Sequence, residues 1–309
     1  MTIPSQVAQE RPSKKLTSRS GLVALLVEVT RRGPVHGLLV LIGFFWLVPS
    51  VGLFATSFRT PESIASTGWW TALGDLSDLS VDNYYQAFVN SAGLPIASFA
   101  ENFRNSFVIT IPSTIFPILI AALAAYAFAW MRFPFRNALY LLIIALLIVP
   151  LQTTWVPVLR LFNVLELAGT WPGIWIAHTA YGTPFAIFLL RNFFADLPKE
   201  IFDSARVDGA SELTTFFRIV IPLSLPAIAS LAIFQFVWVW NDLLNALIFL
   251  QDADKLPLPV GVRNLLTEYA TEWHLLSAGT FISMVVPLVI FFSLQRYFVR
   301  GVTAGAVKG

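Results

Sequence analysis

Six apolar runs, each long enough to cross a membrane and each interrupted by proline, leave this chain few folds to choose from. They cover Val35–Phe58, Asn105–Trp130, Ala138–Arg160, Trp171–Phe194, Pro222–Leu250 and Leu276–Tyr297. A helix needs about 20 apolar residues to span the hydrocarbon core. The prolines within the runs include Pro49, Pro112, Pro117, Pro150, Pro157, Pro184, Pro226 and Pro287. Proline persists in membrane helices where neighbouring helices satisfy the backbone groups it frees. The runs therefore predict a packed bundle of kinked helices, an all-α polytopic membrane protein. With 56% of residues hydrophobic and only 12% charged, the chain is too apolar for a soluble globule.

Lys and Arg orient the spans, because cytoplasmic loops carry the excess. Fifteen of the 20 cations fall on one side: in the N-terminal segment, beside Arg132 and Arg136, between Arg191 and Arg218, and at the C-terminal end. Only Arg59, Arg104, Arg160, Lys255 and Arg263 fall on the other. Six spans then put both termini in the cytoplasm, in a bacterial or archaeal cytoplasmic membrane. The basic N-terminus precedes an apolar run that starts late for a cleaved signal, so the first helix reads as retained. Leu22–Val29 reads either as an interfacial amphipathic helix or as part of a disordered basic tail.

The chain divides into a tail (1–34), a first helix (35–58), a long outside loop (59–104) with room for one or two short helices, a five-helix core (105–297) and a short tail (298–309). A polar loop, 196–221, hangs on the cytoplasmic side of that core. Asp196 reads as its N-cap, with Pro198 in the first turn of a helix to about Val207. Gly209 allows a left-handed turn. Ser211 then caps a second helix, Thr214 to Val220.

This loop, Asp203-Ser-Ala-Arg-Val-Asp-Gly-Ala210 followed by Ile219-Val-Ile-Pro222, resembles the signature loop of permease subunits in ATP-binding-cassette importers. The family pattern is Glu-Ala-Ala, two residues, Asp-Gly-Ala, eight residues, then Ile-x-Leu-Pro. Ala205, Asp208, Gly209, Ala210, Ile219 and Pro222 match it. Asp203 replaces Glu, Ser204 replaces Ala, and Ile221 replaces Leu. Trp240-Asn-Asp242 and the ending Gln295–Gly309 are similar to the carbohydrate-importer branch. Gly68-Trp-Trp-Thr-Ala-Leu73 is similar to α-glucoside-type members. The resemblance, over roughly 36–309, implies a six-span type I importer permease fold. It implies a maltose/α-glucoside-type second permease, forming half the pathway beside a different permease, with two copies of an ATP-binding subunit and an extracytoplasmic solute-binding protein. It implies that 198–215 docks in a cleft of the ATP-binding subunit, where Ala205, Gly209 and Ala210 allow close approach. It also places 251–275 against the binding protein and the last residues between the ATP-binding subunits.

Polar residues inside the runs are the candidates for a substrate path. A carboxylate at mid-membrane costs roughly 2.5–3.5 kcal/mol, so Asp242 has to face the bundle interior or a polar cavity. Asn241 and Asp242 serve either the sugar path or an interhelical tether. Trp238 and Trp240 either stack on sugar rings or pack on neighbours. Gln152, Thr153, Thr154 and Trp155 interrupt the third run and either line a cavity or pack between helices; His178 and Tyr181 carry the same two readings.

His36, His178 and His274 lack metal-ligand spacing, and there is no Cys. No nucleophile–base pair points to an intramembrane enzyme. None of the five lysines follows a glycine, so no Walker loop cradles a phosphate. ATP and Mg therefore belong to partner subunits, and no cofactor or nucleic acid is expected on this chain. The alternative readings are an ion-coupled secondary transporter and an importer permease for a non-sugar solute.

Overall fold

The computed structural model describes residues 19–306 apart from 75, 77–78, 90–98 and 269–272. Arg11, Lys14 and Lys15 of the basic tail, and Lys308 with the last residues, lie outside that set. The chain separates into two units, Met1–Leu53 and Phe54–Gly309. Helix is the only extended secondary structure among the described residues. One isolated bridge joins Arg59 to Leu79.

In chain order the helices are α1 (Arg19–Thr56), α2 (Pro61–Ser66), α3 (Asp82–Val89), α4 (Phe99–Trp130), α5 (Arg136–Leu146), α6 (Leu151–Val164), α7 (Trp171–Ala195), α8 (Lys199–Val207), α9 (Glu212–Thr215), α10 (Ile221–Leu223), α11 (Leu225–Trp240), α12 (Leu244–Phe249), α13 (Leu258–Glu268) and α14 (Trp273–Ala306). Short 3₁₀ turns at Trp69–Leu73 and Ala253–Lys255 and a π turn at Phe216–Val220 complete them.

Four of the six runs form continuous helices that fit a membrane span: Gly33–Thr56, Phe99–Trp130, Trp171–Ala195 and Trp273–Gln295. The other two are broken pairs of helices, bent far more sharply than the kinks expected of proline; counted as one span each, they bring the total to six. The third run turns through 100° between α5 and α6. Its ladder closes by i→i−3 bonds at Leu147, Ile148 and Val149 and stops at Pro150, whose backbone is extended (φ −61°, ψ 126°). Proline disfavours the helical region for its predecessor, so the corner falls here. Gln152, Thr153, Thr154 and Trp155 lie inside α6, beyond the break. The fifth run bends by 74° between Glu212–Leu223 and Leu225–Trp240. Pro222 and Pro226 both lack the N–H that would continue the ladder across that joint. α1 begins at Arg19, so Leu22–Val29 continues the first helix instead of forming a separate one.

The core of the second unit is the α4–α7 pair. Ala121, Ala122 and Ala125 of α4 share one buried cluster with Ala186, Leu190 and Phe194 of α7. Such small residues let backbones approach closely where burial from water gives no driving force. Gly182 of α7 has a related task. A Cβ there would lie 2.5 Å from Nε2 of Gln235 on α11, whose amide donates to the Ser113 carbonyl of α4 at 3.1 Å. One missing side chain thus lets one amide tie two helices beside a third.

The loops opposite α8 are fastened to the bundle. Arg59 is buried and donates to the carbonyls of Ser63 (2.6 Å) and Thr67 (3.3 Å), while Asn83 donates to the carbonyls of Ser57 and Arg59. The prolines and acids of the Gln251–Leu275 segment suit a rigid exposed loop, and residues 251–254 are exposed. From Asp254 onward the segment is tied to the bundle: Asn105 of α4 donates to the carbonyls of Asp254 (2.7 Å) and Leu256 (3.2 Å), the Ser106 hydroxyl accepts the Leu258 amide (2.8 Å), and Leu258 and Val260 are buried. Four of its residues, 269–272, lie outside the described set.

Candidate functional site

The loop after α7 folds by local rules. α7 closes on Asp196, whose amide donates to the carbonyls of Phe193 and Phe194. Asp196 is thus the C-cap of α7, not the N-cap of the next helix. That position belongs to Pro198, held extended (φ −59°, ψ 128°) with its carbonyl accepting from Ile201. The ring fixes φ and the residue before it cannot turn helical, so the chain can restart a helix only from Pro198 onward.

α8 ends in a Schellman turn. Gly209 has φ +75°, its amide donates to the Arg206 carbonyl (3.1 Å), and the Ala210 amide donates to the Ala205 carbonyl (2.9 Å). These two bonds satisfy the last carbonyls of the helix, and a left-handed residue must stand at Gly209. Ser211 opens α9 by accepting the Thr214 amide through its hydroxyl at 3.2 Å. Such a cap contributes about 1 kcal/mol. The sharp bend is thus fixed by backbone bonds before it and a side-chain cap after it.

α8 has two faces. Phe202 and Ala205 are buried, so Ala205 packs into the bundle and is not part of an outward socket. Asp203, Ser204, Arg206, Val207, Asp208 and Gly209 are exposed. Asp203 sits between Lys199 (3.9 Å) and Arg206 (3.6 Å), both on the outer face. A Cβ at Gly209 would meet nothing within 4 Å, so that face is open. Ala210 is half-buried. Ile219 is partly buried in the π turn and Pro222 is exposed.

The inner face of the loop is held by α4, through residues that the sequence analysis did not single out. The Trp130 ring stacks on Phe202 with centroids 3.6 Å apart, and its indole N–H donates to the Phe194 carbonyl at 2.8 Å. Tyr126, one turn earlier, donates its hydroxyl to a carboxylate oxygen of Glu212 and lies 5.4 Å from the Phe216 ring. The legible signal was two aromatics with polar handles, four residues apart, on an otherwise alanine-rich turn. Buried Tyr and Trp need a partner for those handles.

The proposed substrate-path residues divide. Trp155 and Tyr181 pack in one cluster with Trp238, and Tyr181 shares a hydrogen bond with Thr154 at 3.0 Å. Asp242 stands at the break after α11. One carboxylate oxygen accepts the amides of Leu244 (3.1 Å) and Asn245 (3.3 Å), capping α12; the other lies 3.4 Å from Nε2 of buried His178. The His178 ring meets Trp238 edge-on at 5.5 Å. Trp240 is elsewhere: fully buried, stacked on Phe236, and donating to the Ser283 carbonyl of α14 at 3.1 Å. Asn241 is exposed, and its side chain donates to the Val237 carbonyl of its own helix. Gln152 is exposed near the start of α6. Among the described residues no group of three or more His, Asp or Glu could hold a metal.

Comparison with known proteins agrees with this arrangement. Residues 117–304 match the family described as the binding-protein-dependent transport system inner membrane component. The osmoprotective compounds uptake permease protein GgtD of Synechocystis sp. is 50% identical over 91% of this chain and 94% of its own length. The alpha-glucoside transport system permease protein AglG of Rhizobium meliloti is 51% identical over 74% of this chain and 60% of its own length. A bacterial ABC transporter involved in the import of alginate shares the fold, with a TM-score of 0.71 over 92% of this chain and all of that one at 20% identity. The chain is therefore a transport subunit and not an enzyme, and it belongs to the family of inner membrane components of binding-protein-dependent ABC importers.

Proposed function

We propose that this chain forms half of the membrane pathway of an ATP-driven carbohydrate importer, beside a second and different permease. Two copies of an ATP-binding subunit grip the outer face of α8 and the Gly209 turn, and an extracytoplasmic binding protein delivers the solute. The fifteen-to-five division of cations supports a cytoplasmic position for this loop and for both termini. The observation that carries the reading is the loop itself. It is a rigid two-helix bend with an open polar face, joined to an apolar bundle, on a chain without a phosphate-binding loop. Rigid-body motion of such an element is a recurrent way to switch packed helices between two arrangements.

The substrate class rests on relatives with osmoprotectant and α-glucoside systems, each about half identical to this chain. An α-glucoside is the solute class named for AglG, and the Gly68–Leu73 stretch points the same way. Asp242, Trp155 and Tyr181 are the path residues we retain; buried Trp240 and helix-bonded Asn241 become structural. The test is uptake by the complete importer in proteoliposomes, with labelled maltose, sucrose and trehalose offered beside glycine betaine. Uptake of an α-glucoside supports the reading. Uptake of the betaine alone would replace the sugar with a zwitterionic osmolyte.

A further inference from the structure

We infer that the motion of the α8–α9 loop enters the membrane bundle through α4, with Tyr126 and Trp130 as the positioning residues that make loop and helix one body. This rests on the proposal that the loop docks on the ATP-binding subunit.

Two mechanical links leave the loop toward the bundle, and they differ in stiffness. The covalent one runs through the π turn Phe216–Val220 and α10 into α11. There the Ile221 amide reaches back five residues to the Phe216 carbonyl, two prolines remove ladder bonds, and the helix bends by 74° at Ser224. A widened turn, a missing donor and a bend describe a joint that yields. The second link is not covalent and has no such defect. Trp130 stacks on Phe202 of α8 and bonds to the carbonyl of Phe194 at the end of α7, while Tyr126 bonds to Glu212 at the start of α9 and touches Phe216.

Two side chains on one face of α4 thus hold the end of α7, both loop helices and the π turn. Phe194, Phe202 and Phe216 are almost fully buried, as are Ala122 and Ala125 on the adjoining turns of α4. Close-packed interiors transmit displacement instead of absorbing it. The α4–α7 pair behind them is the tightest seam of the unit. A pull on α8 therefore displaces α4 and α7 together, while the bend at Ser224 lets α11 change its angle to them.

This chain has no Cys, so with cysteine-free variants of the partner subunits paired spin labels report without background. The whole importer, reconstituted with its second permease, ATP-binding subunits and binding protein, carries labels at L213C with M131C, or at L213C with F234C. Distances are compared between the nucleotide-free and vanadate-trapped states. The Leu213–Met131 distance is expected to stay constant and the Leu213–Phe234 distance to change. In the Y126F/W130L variant the first pair is expected to change too. Stimulation of ATP hydrolysis by the binding protein should then fall at least about fivefold, since coupling between sites is reciprocal. W130F keeps the stack and should keep the first distance constant, which separates the clamp from a general folding effect. A Leu213–Met131 distance that changes in the unmodified importer overturns the inference, as does a double variant with full stimulation. If the ATP-binding subunits stay bound and active with a permease lacking 199–211, the docking proposal itself has failed.

Discussion

The amide of Ala210 donates to the carbonyl of Ala205 across 2.9 Å, closing α8 over Gly209. This bond accounts for the Asp-Gly-Ala spacing without reference to any partner. The bond closes a six-residue turn, Ala205 to Ala210, and only a left-handed residue within it lets the chain turn back.

Replacing Gly209 with Val puts a β-branched residue at φ +75°, where an L-residue loses roughly 1–2 kcal/mol. The variant should insert normally, because the apolar spans are untouched, but lose transport and bind the ATP-binding subunits poorly. Asn tolerates this backbone region, so Gly209→Asn should retain most activity. Co-purification of the ATP-binding subunits and solute uptake measure both.

Ala205 and Asp203 separate packing from docking. Ala205→Leu drives a larger side chain into the space beside Phe202 and should destabilise the detergent-solubilised protein by about 1–3 kcal/mol. Asp203→Ala removes only exposed ion pairs, a stability effect of about 0–1 kcal/mol. Asp203→Ala should therefore leave thermal unfolding nearly unchanged and act on affinity for the ATP-binding subunit.

At the α7–α11 contact, Gly182→Val should lower the unfolding temperature, because its Cβ collides with the Gln235 amide. Shortening the partner makes room, so Gly182→Val with Gln235→Ala should cost less than the two single changes added together. Neighbours in one contact are rarely additive. Additive losses would mean that the amide bridge does not constrain the packing at Gly182.

Buried His178 and half-buried Asp242 lie side by side near the proposed path. His178→Ala removes the ring that faces the second oxygen of the half-buried carboxylate, and should cost about 1–3 kcal/mol. Asp242→Asn keeps the cap on α12 through its amide oxygen and removes the charge, so it should cost less. The double variant should resemble Asp242→Asn alone. If Asp242→Asn also changes which solute stimulates uptake, the pair belongs to the path; if only stability changes, it is a tether.

Most of the span architecture was legible because apolar length is a direct readout of membrane thickness. The corner at Pro150 and the bend at Ser224 were less so. Proline marks where a ladder loses a donor, but whether the helix kinks or turns aside depends on what packs around it. In the loop, Gly209 and Ser211 could be read from the sequence because turn and cap chemistry is local. Asp196 misled because a carboxylate near a proline suits either the end of one helix or the start of the next. Tyr126 and Trp130 were hidden for a different reason: their partners lie 64 or more residues away, across a pairing of helices that no local rule fixes. The same applies to His178 and Asp242, each visible alone but joined only by the fold.

The corner at Pro150 sets a condition on how this chain lives in lipid. α5 has 11 residues and α6 has 14, so at about 1.5 Å per residue neither reaches across a hydrocarbon layer of roughly 30 Å. The turn between them sits in the middle of an apolar run, and Ile148 beside it is 79% uncovered on this chain alone. Non-helical backbone inside a bilayer survives only against protein or a water-filled space. An isolated copy would leave this elbow facing acyl chains, so its membrane-stable form has to be one in which another surface closes over it.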